Sequence, residues 1–206
     1  PIEATGLGIL RRGHKPPDST NRTQSSDIRR RSRSRDIVLV TKANFQSTVH
    51  RPGYLDYVGV KHFDAKGRLA GEKRFLGLWT SAAYSSTPLD IPLLRNKVAK
   101  VVEHFALAPD SHDGKALQHI LESFPRDELF QAGAAELNRI VTGIFGLQER
   151  PRVRVLLRRD AFRRFYSCLV YVPREKYNTQ VRQRIEKVIR EAFSAFGMES
   201  QVQIAE

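Results

Sequence analysis

Apolar positions along the chain recur at two periods, and the change from one to the other divides it. Between residues 90 and 150 the spacing is three and four. Ile91, Leu94, Val98, Val101 and Phe105 form one stripe in "DIPLLRNKVAKVVEHFALA", which predicts an amphipathic helix. Asp90 is the expected N-cap, with Pro92 tolerated in the first turn. "SHDGKALQHILESF" repeats the pattern with Leu117, Ile120, Leu121 and Phe124. "PRDELFQAGAAELNRIVTGIFGL" predicts a short helical turn, then a longer helix through Leu137, Ile140, Val141 and Ile144, ended by Gly146 and Pro151.

On either side of this block the period falls to two. "IVLVTKA" from Ile37 reads as a short buried strand. "YLDYVGVKHF" and "GEKRFLGLWTS" flank "DAKGRLA", where Asp64 and Gly67 suit a tight turn. Lys61, Asp64, Lys66, Arg68, Glu72, Lys73 and Arg74 crowd the turn end. Val58, Val60, Phe75, Leu76, Leu78 and Trp79 lie at the other end, so a long hairpin with a wet tip and a core-forming base is expected.

The last third returns to alternation. "RVRVLLRR" predicts a strand with Val153, Val155 and Leu157 on one face, "DAFRR" a tight connection, and "FYSCLVYVP" a second strand. In that second strand Tyr166, Cys168, Val170 and Val172 point one way and Phe165, Leu169 and Tyr171 the other. A strand apolar on both faces calls for two covering layers. A helix capped by Asn178 or Thr179 follows, with Val181, Ile185, Val188, Ala192 and Phe196 on its stripe, and "SQVQIAE" begins a third strand. The order β-β-α-β is most of a ferredoxin-like split unit. The expected class is α+β: an antiparallel hairpin sheet over residues 37–85, a helical connector over 86–150, and an incomplete ferredoxin-like unit over 151–206.

Composition adds one correction to this picture. The chain has 206 residues, 40% hydrophobic and 28% charged, as expected of a globular protein with a real core. No apolar run approaches the roughly 18 residues of a membrane span. The single Cys168 excludes an intrachain disulfide and fits a cytoplasmic protein. The net charge of +13, however, makes polyanions a partner class to weigh. Residues 1–36 hold nine Lys or Arg against four Asp or Glu, most of the excess in Arg29–Arg35. Residues 12–36 are too polar to bury a core, and residues 1–36 are expected to be a flexible basic linker or loop. The start at Pro1 and the strand begun by "ESQVQIAE" lead us to expect a piece of a longer protein.

Motif spacing argues against catalysis by these residues. Gly6, Gly8 and Gly13 in "GLGILRRG" misplace the third glycine of a dinucleotide fingerprint. No phosphate loop and no G-x-S-x-G elbow occurs. His14, His50, His62, His104, His112 and His119 form no H-x-x-x-H pair. His50, Arg51 and Asp56 stand close in sequence, and an ion-pair or hydrogen-bonding role is the expected one. Asp127 and Glu128 read as helix-start charges, and Cys168 as a packed thiol. No catalytic, cofactor-binding or metal-ligating residue is therefore expected in this chain. The alternative reading is an RNA-binding module on the basic ferredoxin-like sheet. "RFYSCLVY" matches an RNA-recognition strand at Arg164, Tyr166, Leu169 and Tyr171, with Arg158, Arg159 and Arg163 nearby for phosphates, but Phe165 replaces its glycine and Cys168 its second stacking ring.

Three blocks carry a resemblance. "STVHRPGYLDYVGVKHFDAKGRLAGEKRFLGLWTSAAYSSTPLDIPLLRNKV", "SHDGKALQHILESFPRDELFQ" and "LQERPRVRVLLRRDAFRRFYSCLVYVPREKYNTQVRQRIEKVI" resemble the large bacterial NAD-specific glutamate dehydrogenases, from about Leu39 to the end of the chain. The resemblance implies that residues 37–85 end a PAS-like sheet and residues 151–206 begin an ACT-like domain, both upstream of the catalytic domain. It implies NAD as the cofactor of the parent enzyme and none in this segment. It also implies a homo-oligomeric, cytoplasmic enzyme of amino-acid catabolism. Expected partners are the catalytic domain of the same chain and other subunits, with an amino acid as candidate effector, no membrane, and nucleic acid disfavoured.

Overall fold

The structure, a computed structural model, describes residues 36–47, 49, 53–148 and 152–204. The linker with its Arg29–Arg35 run, and also His14, His50, Arg51 and Pro151, lie outside those residues. The chain divides into two units: Pro1–Tyr84 with Asp160–Phe165, and Ser85–Arg159 with Tyr166–Glu206. The class is α+β, as the two periods predict.

The first unit holds β1 (Val38–Gln46), β2 (Tyr54–Phe63) and β3 (Leu69–Gly77), antiparallel and in that order. The β2–β3 tip forms as expected. Asp64 Oδ1 accepts from the amides of Lys66 and Arg68, both at 2.9 Å, and Gly67 takes φ 71°, a left-handed conformation that favours glycine.

Burial along the hairpin departs from expectation. Lys61, placed with the wet tip, is buried, while Phe75, placed with the core, is 57% exposed. Tyr57, Gly59 and Lys61 pair with Leu76, Arg74 and Glu72, so all six side-chain positions share one face, and Phe75 lies on the other. Each face holds both buried and exposed residues, Lys61 beside exposed Arg74 on one and Asp56 beside exposed Phe75 on the other. Among the described residues β1 lies at the edge of the sheet, and the burial expected of it is only partial: Val40 and Thr41 are buried, Ile37 and Val38 exposed.

After a short helix α1 (Ser81–Ser85), the second unit builds a helical cluster from α2 (Pro92–Phe105), α3 (His112–Ser123), α4 (Arg126–Gln131) and α5 (Ala134–Gln148). The predicted stripes are its core. Leu94, Val101, Leu117, Leu121, Leu137, Ile140 and Val141 are each at most 2% exposed. The N-cap of α2 is Ile91, extended and without a side-chain cap, so Asp90 does not serve there. Pro92 at the start of α2 supplies no amide N–H and so needs no cap for it. α5 runs through Gly146 to Gln148, so that glycine does not end the helix. Lys97 Nζ donates to three carbonyls at the end of α4, those of Leu129 (2.9 Å), Phe130 (2.7 Å) and Ala132 (2.9 Å). A cation placed on terminal carbonyls offsets the negative end of that helix.

The remaining elements are β4 (Arg154–Arg159), β5 (Tyr166–Tyr171), a 3-10 turn (Arg174–Lys176) and α6 (Thr179–Phe193). β4 and β5 pair antiparallel from Arg154↔Tyr171 to Arg159↔Tyr166. The inward face of β4 is Leu156 and Arg158, and the expected apolar row of Val153, Val155 and Leu157 points outward. Leu156 faces inward because α5 offers a glycine there: a Cβ on Gly143 would stand 2.8 Å from Leu156 Cδ2. Asn178 caps α6, its side chain accepting from the Val181 amide at 2.9 Å. The stripe of α6 is rotated from the one predicted. Val181, Ile185, Ile189 and Phe193 are half-buried, while Val188, Ala192 and Phe196 are exposed. Residues 201–204 form no strand, and Gln203 Nε2 donates to the Ser123 carbonyl at 3.1 Å.

Candidate functional site

Buried charge marks where chemistry could reside, and in each case a partner accounts for it. Asp56 on β2 pairs with Lys42 Nζ on β1 at 2.7 Å and accepts from the Trp79 amide at 3.1 Å. That is the structural ion pair expected of it. On the other face, the Tyr57 hydroxyl donates to Glu72, which also accepts from Arg74 Nε at 3.0 Å. Burial, followed by the Glu72 hydrogen bond, pushes the Tyr57 phenol well above its ordinary range. Gly59 leaves room for this contact, since a Cβ there would sit 3.0 Å from both Tyr57 Cε1 and Glu72 Cδ.

Two arrangements escape a reading of the sequence. Asp160, 3% exposed, accepts from Thr41 Oγ1 (2.9 Å), the Phe162 amide (3.0 Å) and Arg164 Nε (2.9 Å), all within the first unit. Burial alone would raise its pKa. The Arg164 hydrogen bond and charge, the Thr41 hydroxyl and the Phe162 amide outweigh that and hold it below the ordinary carboxylate value. In the second unit, Glu128 and Arg158 form a buried two-pronged pair at 2.6 and 2.8 Å, with Gln131 at 3.3 Å. Glu128 thus does more than charge a helix start. The signal for Asp160 was present in "DAFRR", an aspartate four residues before an arginine around a turn. Nothing in the pattern pairs Glu128 with Arg158.

Cys168 is half-buried, and burial, then the Glu128 charge, raises its thiol pKa, the reverse of an activated nucleophile. Among the described residues, no three His, Cys, Asp or Glu side chains converge as a metal site. No helix of the described residues is long and apolar enough to cross a membrane. The nucleic-acid reading finds no support. The Tyr166 ring lies 4.7 Å from Phe193 and beneath Arg159 at 5.4 Å, and Arg158 and Arg164 are committed to carboxylates.

What stays open in the second unit is an apolar surface. Val153, Val155 and Leu157 keep 56%, 46% and 38% of their area in solvent. α6 buries no residue fully and leaves Val188 exposed, and Phe196, just beyond its end, is wholly exposed. Single exposed apolar residues are ordinary, whereas a row of them on one strand marks a contact surface.

Comparison with known proteins locates these elements. The model for glutamate dehydrogenase helical motif 1 matches residues 91–150, and that for the glutamate dehydrogenase ACT2 domain matches residues 154–206. The NAD-specific glutamate dehydrogenase of Halomonas elongata is 42% identical over 159 residues, 77% of this chain and 10% of that protein. The enzyme of the same name from Pseudomonas aeruginosa is 44% identical over 163 residues, 78% of this chain and 10% of its own. That of Mycobacterium tuberculosis is 29% identical over 205 residues, 98% of this chain and 12% of its own. The chain spans about a tenth of the length of these relatives.

Proposed function

The chain belongs to the large NAD-specific glutamate dehydrogenases, as a stretch of their N-terminal region, and from that premise we propose that it is a non-catalytic assembly and regulatory segment of such an enzyme. The parent reaction in this reading converts L-glutamate, NAD and water to 2-oxoglutarate, ammonia and NADH. NAD binds the parent outside this segment, whose own contribution is surface. It packs against the catalytic part of the chain and against other subunits, and an amino-acid effector acts through that packing.

The observation that supports this reading is the exposed pair Val155 and Leu157 on the outward face of β4, with exposed Val153 just before the strand. Apolar area left in water favours association once a complementary surface meets it. The test replaces Val155 and Leu157 by Lys in a full-length enzyme carrying this segment. Assembled mass by sedimentation and NADH production from glutamate should both fall. A variant with wild-type mass and wild-type rate would overturn the assembly role. Calorimetry with a panel of amino acids tests the effector, and silence across the panel would leave packing alone.

A further inference from the structure

We propose that the β4–β5 turn is a coupling latch: its Asp160 carboxylate fastens the turn to β1, so the first unit keeps its fold only while β4 and β5 hold theirs. The turn, Asp160–Phe165, belongs to the first unit, and its two ends run straight into β4 and β5 of the second. The two carboxylate oxygens divide the task. Oδ2 shapes the turn, accepting from the Phe162 amide at 3.0 Å and from Arg164 Nε at 2.9 Å. Oδ1 faces β1, accepting from Thr41 Oγ1 at 2.9 Å and, at 3.3 Å, from Arg164 Nη2. Arg164 doubles the link, donating from Nη2 to Thr41 Oγ1 at 2.7 Å and from Nη1 to Asn44 Oδ1 at 2.9 Å.

Two features make the link conditional on its surroundings. The first is strain. Arg163 takes φ 59°, a left-handed conformation that is costly for any residue but glycine. It is held there by its own amide, which donates to the Asp160 carbonyl at 2.8 Å, and by the Asp160 amide on the Phe165 carbonyl at 2.9 Å. Arg159 and Tyr166, the last pair of the β4–β5 ladder, flank the turn directly, so that pairing keeps it closed. The second is distance along the chain. Thr41 and Asp160 are 119 residues apart, and closing so long a loop carries an entropic cost that a few hydrogen bonds offset only when the intervening chain is ordered. Residues 85–159 of that chain belong to the second unit. Thr41 and Asp160 are 4% and 3% exposed, so neither turns to water when the other leaves. An event that loosens β4 or β5 then releases β1 as well.

The test uses the whole 206-residue chain and two signals. Trp79, the sole tryptophan, reports the first unit, where its amide donates to Asp56. Helical circular dichroism reports the second, which holds α2 to α6. Under urea, Leu137→Ala in the helical core should lower both midpoints together by about 1 M. In a Thr41→Val chain the same replacement should still lower the helical midpoint but shift the tryptophan midpoint by less than about 0.2 M. Thr41→Ser keeps the hydroxyl and should restore the joint fall. Asn44→Ala, at an exposed residue, removes one bond of the latch and should give an intermediate response. It decides the matter if Thr41→Val unfolds the first unit outright. A tryptophan midpoint that ignores Leu137→Ala in the otherwise wild-type chain would overturn the proposal. So would one that follows Leu137→Ala as fully in the Thr41→Val or Asn44→Ala chain as in the wild type, since those side chains would then hold β1 without coupling it.

Discussion

The helical cluster and the three-stranded sheet bury different kinds of side chain. In the cluster the buried set is almost wholly apolar: Leu94, Leu117, Leu121, Leu129, Leu137, Ile140 and Val141. In the first unit, among the described residues, Val40 and Leu55 are joined by Thr41, Asp56, Lys61 and Asp160, so polar side chains outnumber apolar ones there. Packing density holds the first kind of interior, and paired hydrogen bonds hold the second. The two should fail in different ways. A lost methylene leaves a hole that neighbours partly close, whereas a lost partner leaves a charge with nowhere to go.

The sharpest break in this contrast is the Glu128–Arg158 pair, where the second unit uses buried charge as the first does. Replacing Arg158 by Ala strands Glu128 and should cost about 4 kcal/mol in urea unfolding followed by helical circular dichroism. Replacing Glu128 by Leu and Arg158 by Met together should recover most of that loss. If the single variant costs no more than a surface change, buried charge is not structural here. Next comes Leu137, fully buried on α5. Leu137→Ala should cost about 3 kcal/mol by the same measurement. The smallest expected effect is in the first unit, where Trp79, the sole tryptophan, is a local probe. Asp160→Asn should cost about 2 kcal/mol when unfolding is followed by its fluorescence.

Asp160 also gives that unit an acid dependence of definite sign. Its carboxyl titrates below the ordinary value in the folded chain. The stability it contributes is therefore fully present above the unfolded value, about 4, and is lost as pH falls through the lower folded one. Tryptophan-monitored stability should decline below about pH 4 in the wild type and decline less steeply in Asp160→Asn. Parallel pH profiles for the two would remove Asp160 from this role.

How much of this could be read from the residues alone follows from the same contrast. The helical stripes were legible because one physical term, apolar burial at a 3.6-residue period, decides them, and Leu94, Leu117 and Leu137 lie where the period puts them. The hairpin turn was legible because Asp64 and Gly67 act locally. The inward face of β4 was not. Alternation separates Leu156 and Arg158 from Val155 and Leu157, but hydrophobicity votes for the wrong set. The deciding facts are a glycine on α5 and a glutamate on α4, both remote in sequence. The third strand failed for a related reason: residues 201–204 have the alternation of a strand, and a strand also needs a neighbour. For the candidate surface, the sequence offered a second strand apolar on both sides, while which residues remain in water was a matter of tertiary contact.

Lys97 carries a chemical consequence of its own. With its Nζ held against the carbonyls of Leu129, Phe130 and Ala132, this amine is kept from an approaching electrophile until the end of α4 lets go. Amine-directed acylating reagents should mark the exposed Lys100, one turn along α2, well before they mark Lys97. The relative labelling of two neighbouring lysines, read by mass spectrometry, then becomes a clock for opening of the α2–α4 junction.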